Sequence, residues 1–237
     1  RDIHRNETTQ GQLGIMSRAD TMYATANSIH FTTTSWNEDV EWPQAPGPET
    51  SVHSFSFNTN DTMYHLASGA IPGETIGQFA LNEHEDELRI ATTRNVDGIS
   101  ESAVTILTAG DNNTYNVLGE VGGLGLTERI YAVRYIGDLA YVVTFRETDP
   151  LYVVDLTDPT QPFAAGELKI PGYSSYLHPI ADGKLLGIGQ DADDRGRTLG
   201  TQLSLFDVSD STNPLRLEKV DIGGRSAAEY DHRAFLW

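Results

Sequence analysis

The chain repeats itself at intervals of about 50 residues, and this repeat constrains its fold more than any other feature. The ten residues from Val153 align with the ten from Leu205, so that two aspartates, a threonine and a proline coincide. The string Ile-Pro-Gly at residues 71–73 returns at residues 170–172. Strand-rich units of roughly 40–50 residues are typical of β-propeller blades rather than of helical solenoids. The repeat therefore predicts a propeller.

Each unit divides into four short strands separated by turn residues. In one unit the strands are predicted at residues 130–136, 139–145, 151–156 and 163–170, where β-branched and aromatic residues dominate. No window of the sequence has a sustained helical period of apolar residues. We therefore expect an all-β chain of four-stranded antiparallel blades. The blades are expected at residues 22–73, 74–123, 124–172 and 173–224, and the first strand of a fifth blade at 225–237.

The segments outside the blades are polar, and the repeated aspartates are interpreted as turn residues. Residues 1–19 are expected to form a polar N-terminal segment, and residues 37–49, with three prolines, a surface loop. Asp and Ser/Thr side chains bond to nearby backbone N–H groups and so close turns. Asp155, Asp158, Asp207 and Asp210 recur once per unit, as turn residues would and as residues of a single active site would not.

Composition excludes several classes of partner and site. The 237 residues carry a net charge of −18, which repels phosphate backbones and makes nucleic acid or an anionic membrane surface a poor partner. The chain has no cysteine, so disulfides and thiolate metal sites are excluded. No apolar run reaches the roughly 18 residues that a membrane-spanning helix needs.

Several longer strings resemble a known family. They are ERIYAVRYIGD at 128–138, YVVTFR at 141–146, LSLFDVSD at 203–210 and YDHRAFL at 230–236. Together they resemble the secreted bacterial and archaeal beta-propeller domain family, which is distantly related to WD-type repeats, and the resemblance covers residues 20–237. It implies a propeller fold and export to the cell envelope or the extracellular space. It implies no specific activity.

Two groups of residues are candidates for ligand binding. The first strand of each blade lines the central channel of a propeller, and alignment on tyrosine places Arg134, His178 and His232 there or at its mouth. Such a cationic cluster suits an anion or a carboxylate, although these side chains could instead bond to backbone groups between blades. Arg129, Arg146 and Asp149 form a second polar group, which could bind a ligand or join blades through an Arg–Asp pair.

One loop loosely resembles a calcium site. Asp191, Asp193 and Asp194 alternate in the manner of a calcium-binding loop, but the position eleven residues after Asp191 holds Gln202 instead of the expected Glu. Structural calcium is one interpretation and a solvated acidic loop is the other. No other cofactor is expected. Asn-x-Thr strings begin at Asn6, Asn60 and Asn112, and in a bacterial protein they would be chance matches.

Three classes of function remain open from the sequence. The first is a binding or scaffold module that presents loops to a protein or polysaccharide partner. The second is a hydrolase or lyase with its site at the channel mouth, and the third is a purely structural module. Open propeller edges also predict association with a second copy or with the rest of the same chain.

Overall fold

The computed structural model describes residues 18–36, 47–57, 62–146, 149–193 and 197–236. Most of the predicted N-terminal segment and most of the predicted loop at 37–49 lie outside these ranges. The described residues form sixteen strands in four antiparallel sheets of four, each in sequential order. This confirms the expected all-β architecture of four-stranded blades.

The strands follow one another as four meanders. The first blade consists of β1 Thr21–Ala24, β2 Ser28–Trp36, β3 Pro48–Phe57 and β4 Met63–Pro72. The second consists of β5 Leu81–His84, β6 Glu87–Val96, β7 Ile99–Ala109 and β8 Tyr115–Leu124. The third consists of β9 Arg129–Ile136, β10 Leu139–Phe145, β11 Asp149–Asp155 and β12 Phe163–Ile170. The fourth consists of β13 Tyr173–Ala181, β14 Lys184–Ala192, β15 Thr198–Asp207 and β16 Leu215–Asp221.

The core lies between the blades because alternate side chains of a strand point to opposite faces of its sheet. On β10, Ala140 and Val142 belong to a core cluster shared with the first two blades, while Tyr141 and Val143 belong to a cluster shared with the fourth. Burying such side chains on both faces stabilises the stack by roughly 1.5–3 kcal/mol for each large apolar residue. The described sheets do not close into a ring.

The repeated aspartates close turns, as the sequence predicted. The Asp155 carboxylate accepts from Thr157 N at 2.8 Å, and Asp158 accepts from Thr160 N at 3.0 Å. In the next blade Asp207 and Asp210 accept from Ser209 N at 3.1 Å and Thr212 N at 3.0 Å. These side chains therefore have a structural role in the turns that follow β11 and β15.

The prediction of a strand at 225–237 was wrong. The described part of this segment forms two short 3-10 turns, Ala227–Glu229 and His232–Ala234. Ser226 and Glu229 form a reciprocal capping box, and Asp231 accepts from Arg233 N at 3.0 Å. Side chains that satisfy nearby backbone N–H groups offer the chain an alternative to strand pairing. We call residues 225–236 the C-terminal strap.

Candidate functional site

The first strands of three blades converge on a cavity of about 1060 Å³ between the blades. The starts of β1, β9 and β13 line it, together with the segment that leads from β4 into β5 and the C-terminal strap. The first strands of the first, third and fourth blades therefore share one cavity, whereas β5, the first strand of the second blade, is not part of its lining. His232 of the strap was expected at the channel, but in the first strand of a further blade and not in a 3-10 turn.

Aromatic rings and charges of both signs make up the wall of the cavity. The aromatic residues of the lining are Phe79, Tyr131, Tyr173, Tyr176 and Tyr230. Three arginines and three carboxylates accompany them: Arg129, Arg225, Arg233, Asp20, Glu74 and Glu229. The charges of these six side chains sum to zero, although the whole chain carries −18. Such a wall offers apolar faces and polar groups to a ligand without a strong preference for an ion.

Arg134, His178 and His232 lie around the rings of Phe79 and Tyr176. The Arg134 guanidinium carbon is 4.4 Å from the Phe79 ring centroid and 5.5 Å from that of Tyr176. The His232 ring meets Phe79 edge-on at 4.9 Å, and the Tyr176 hydroxyl lies 3.2 Å from His178 Nδ1. The structure therefore brings the three predicted residues together. Their role as a ligand site stays a prediction.

One member of this cluster, Arg134, already has a hydrogen-bond partner within the protein. Arg134 Nε donates to the Leu177 carbonyl on the next blade at 2.9 Å. A backbone contact of this kind between blades was the alternative to a ligand site. Burial lowers the pKa of Arg134, and burial followed by the nearby Arg134 charge lowers the pKa of His178. The lowered pKa favours neutral His178 at neutral pH, so this histidine does not add to the positive charge of Arg134.

The C-terminal strap is fixed to the fourth blade by one carboxylate. Glu229 accepts from Ser226 N at 2.8 Å and from Gln190 Nε2 at 2.5 Å, and it also accepts from the Thr201 hydroxyl. From this anchor the strap reaches the second blade, where His232 Nε2 lies 3.2 Å from Gln78 Nε2. The strap thus forms one side of the cavity and connects two blades across it.

Arg129, Arg146 and Asp149 do not form a common site among their described contacts. Arg129 lines the cavity, and its Nη2 donates to the Tyr131 hydroxyl at 3.1 Å. Arg146 donates to the Thr127 hydroxyl at 3.1 Å. The Asp149 side chain lies outside the described part of the structure, so the predicted Arg–Asp pair stays a prediction. Of the two arginines, Arg129 lines the cavity and Arg146 does not.

Two of the three aspartates of the predicted calcium loop pair with cations. Asp191 accepts from Lys219 Nζ at 2.9 Å, and Asp193 accepts from Arg197 Nε at 2.8 Å. Asp194 lies outside the described residues. Within the ranges that the structure describes, no three His, Cys, Asp or Glu side chains are grouped closely enough to hold a metal ion. Structural calcium stays a prediction.

A buried polar network between the first two blades was not expected from the sequence. His30 Nδ1 lies 2.7 Å from Ser54 Oγ, and its Nε2 lies 2.9 Å from Ser28 Oγ and 3.3 Å from Glu83 Oε2. These residue types match those of a Ser–His–carboxylate relay, but Ser28, His30 and Ser54 are at most 1% exposed. A nucleophile must reach its substrate, so we interpret this network as structural.

The comparisons with known proteins identify relatives across most of the chain. The family model described as a beta propeller domain matches residues 2–237. An uncharacterised protein of Methanocaldococcus jannaschii is 42% identical over 183 residues, which cover 75% of this chain and 28% of that protein. An uncharacterised protein of Archaeoglobus fulgidus is 44% identical over 168 residues, covering 70% of this chain and 25% of that protein. The chain spans about a quarter of the length of these relatives. Its described part contains no helix with the length and hydropathy of a membrane span.

Proposed function

This chain belongs to the beta propeller domain family, and on that premise we propose that it is an exported binding module that holds a polysaccharide in the cavity between its blades. The observation that carries the proposal is the wall of five aromatic rings and six charged side chains around a cavity of about 1060 Å³. Ligand sites have volumes of roughly 300–1,000 Å³ and combine apolar walls with a few polar groups. This cavity is large enough for several sugar units.

A polysaccharide fits the wall for a chemical reason. Sugar rings present apolar C–H faces that pack on aromatic side chains, and tyrosine adds a hydroxyl for hydrogen bonding at its edge. Arginines and carboxylates offer donors and acceptors to sugar hydroxyl groups. Because the six charges sum to zero, we expect a neutral sugar to bind more tightly than an acidic one.

Calorimetric titration with oligosaccharides tests the proposal. Purified chain is titrated with neutral and with uronate-containing oligosaccharides, and Tyr230→Ala is compared with the original chain. Tyr230 lines the cavity and is 81% exposed, so its loss should not affect folding. We expect binding of the neutral sugar to weaken by about tenfold, which corresponds to roughly 1.4 kcal/mol.

The matched control is Tyr64→Ala. Tyr64 is 47% exposed on β4 and is not part of the cavity lining, so binding should not change. An unchanged affinity of Tyr230→Ala, or the absence of binding to any sugar of the panel, contradicts the proposal. Preference for the acidic sugar would instead favour the anion site predicted around Arg134.

A further inference from the structure

The turn between β7 and β8 carries a sequence feature that the binding function does not use. Residues Asn112, Asn113 and Thr114 form an Asn-x-Thr string, which is the acceptor sequence for N-linked glycans in exported proteins. All three residues are exposed. The strings that begin at Asn6 and Asn60 have their asparagines outside the described residues.

The two asparagines of this turn have different environments. Asn113 Nδ2 donates to the carbonyls of His65 and Leu66 at 2.9 and 3.0 Å, and so fixes the turn to the first blade. The Asn112 side chain has no hydrogen bond to another described residue. Its backbone, at φ 60 and ψ 25, is in the left-handed region that asparagine adopts more easily than most residues. Asn113 therefore fixes the turn to the first blade, and the Asn112 side chain is exposed on that turn.

The threonine of the string is also at the surface. Thr114 Oγ1 donates to the Asp111 carbonyl at 2.8 Å, within the same turn. Its backbone pairs with Ser68 of β4. The acceptor amide and the hydroxyl that a transferase recognises are therefore presented together on an exposed turn that is held in place at both ends.

The turn lies at the opposite end of the blade from the cavity. Thr93, in the last part of β6, lines the cavity and pairs with Ser102 near the start of β7. The chain then runs along β7 to Ala109 before the turn begins, which at 3.3 Å per residue is roughly 20 Å. A glycan at Asn112 would consequently leave the cavity accessible.

We propose that Asn112 is an N-glycosylation site of the exported protein. In the reaction, Asn112 Nδ2 attacks the anomeric carbon of an oligosaccharide that is joined to a lipid through a diphosphate. A C–N bond forms, the anomeric C–O bond to the phosphate breaks and the lipid diphosphate leaves. The amide proton passes to a base of the transferase. The in vivo part of this proposal rests on the export included in the proposed function.

The test uses the folded 237-residue chain, a single-subunit oligosaccharyltransferase and a lipid-diphosphate oligosaccharide, with peptide mass spectrometry as the readout. We expect a glycan on the peptide that contains Asn112. Asn112→Gln and Thr114→Val should abolish it, whereas Thr114→Ser, which keeps the hydroxyl, should retain it. Equal thermal unfolding midpoints for Asn112→Gln and the original chain would exclude misfolding as the cause of the loss.

If the enzyme modifies a short Asn-Asn-Thr peptide but leaves Asn112 unmodified in the folded chain, the proposal is overturned. This in vitro reaction does not depend on export or on sugar binding, so its failure is distinct from a failure of the proposed function. Unmodified Asn112 in chain recovered from outside an archaeal cell that glycosylates other exported proteins would also overturn it.

Discussion

At the scale of single residues, Glu229 connects the C-terminal strap to the fourth blade. Burial tends to raise the pKa of its carboxyl, but hydrogen bonds from Ser226 N, Thr201 and Gln190 outweigh burial and lower the pKa below its ordinary value. The folded protein therefore favours the carboxylate more than a released strap does. Stabilisation from a lowered carboxyl pKa is complete above the ordinary pKa of about 4.3 and is lost as the pH falls through the folded value.

We expect the strap to detach from the fourth blade as the pH falls through the lowered pKa of Glu229. Hydrogen exchange of the amides of residues 226–231, corrected for the intrinsic effect of pH, measures this. Glu229→Gln should remove the acid transition, because the amide does not titrate, and should lower protection at pH 7. Glu218→Gln, at an exposed position of β16, serves as the control. An acid transition that persists in Glu229→Gln would show that another group controls the strap.

The residues around Arg134 show how far the sequence predicts the site. Alignment on tyrosine was sufficient to place Arg134 and His178 on equivalent first strands. It could not identify Phe79, which packs on Arg134 from the 3-10 turn Gln78–Ala80. Nor could it identify Phe235, whose ring lies 5.1 Å from His178. Both contacts join segments that are distant in sequence, so no local pattern records them.

At the scale of elements, a turn of one blade packs against a glycine on the last strand of the preceding blade. A Cβ at Gly119 would lie 2.2 Å from the Pro159 carbonyl oxygen, and a Cβ at Gly166 would lie 2.3 Å from that of Ser211. Gly119 pairs with Ile106 and Gly166 pairs with Val153, at a register shift in each blade. The aspartate-closed turns therefore pack directly on these strands, which explains why glycine recurs in the repeat.

Gly166→Val should destabilise the protein by roughly 2–3 kcal/mol, because the added side chain must displace backbone of the turn at 211–214. Chemical denaturation measures the change in the free energy of unfolding. Gly137→Asn is the matched control, since its Cβ would meet no atom within 4 Å and asparagine tolerates its φ of 56. Equal losses for the two variants would contradict the role of blade packing at Gly166.

Element bounds were predictable where turn residues flank a regular strand. The prediction for residues 163–170 matches β12, and that for 139–145 matches β10. The strap was missed because AFLW at its end is apolar and β-favouring, whereas Ser226, Glu229 and Asp231 cap local turns. Capping side chains compete with strand pairing. Which of the two conformations is more stable depends on whether a partner strand is present, and the sequence does not identify that strand.

At the scale of the whole molecule, the fourth blade has an apolar face that the C-terminal strap covers only at one end, where Glu229 bonds to Gln190 and Thr201. Leu186 pairs with Leu205 as Tyr141 pairs with Val153 in the third blade, so the two faces are equivalent. Tyr141 and Val153 are buried against the fourth blade, whereas Leu186, Leu203 and Leu205 are half-exposed. Apolar faces of this kind recruit a partner.

We therefore expect the 237-residue chain to associate with a second copy through this face. The position equivalent to Gly166 is held by Glu218, which pairs with Leu205 at the same register shift. A turn cannot pack there as closely as it packs on glycine, so the contact depends on the leucines alone and should be reversible. Light scattering at increasing concentration should give a mass that rises above 26.0 kDa. Dilution should reverse the rise, because association depends on concentration.

Leu203→Glu should keep the chain monomeric, because a carboxylate at the contact must be desolvated on association. Leu126→Glu is the control: Leu126 is 59% exposed in the turn before β9, so the same charge change there should leave association intact. If both variants behave alike, the added charge and not the face is responsible. A species of constant 26 kDa mass at every concentration would contradict the expectation.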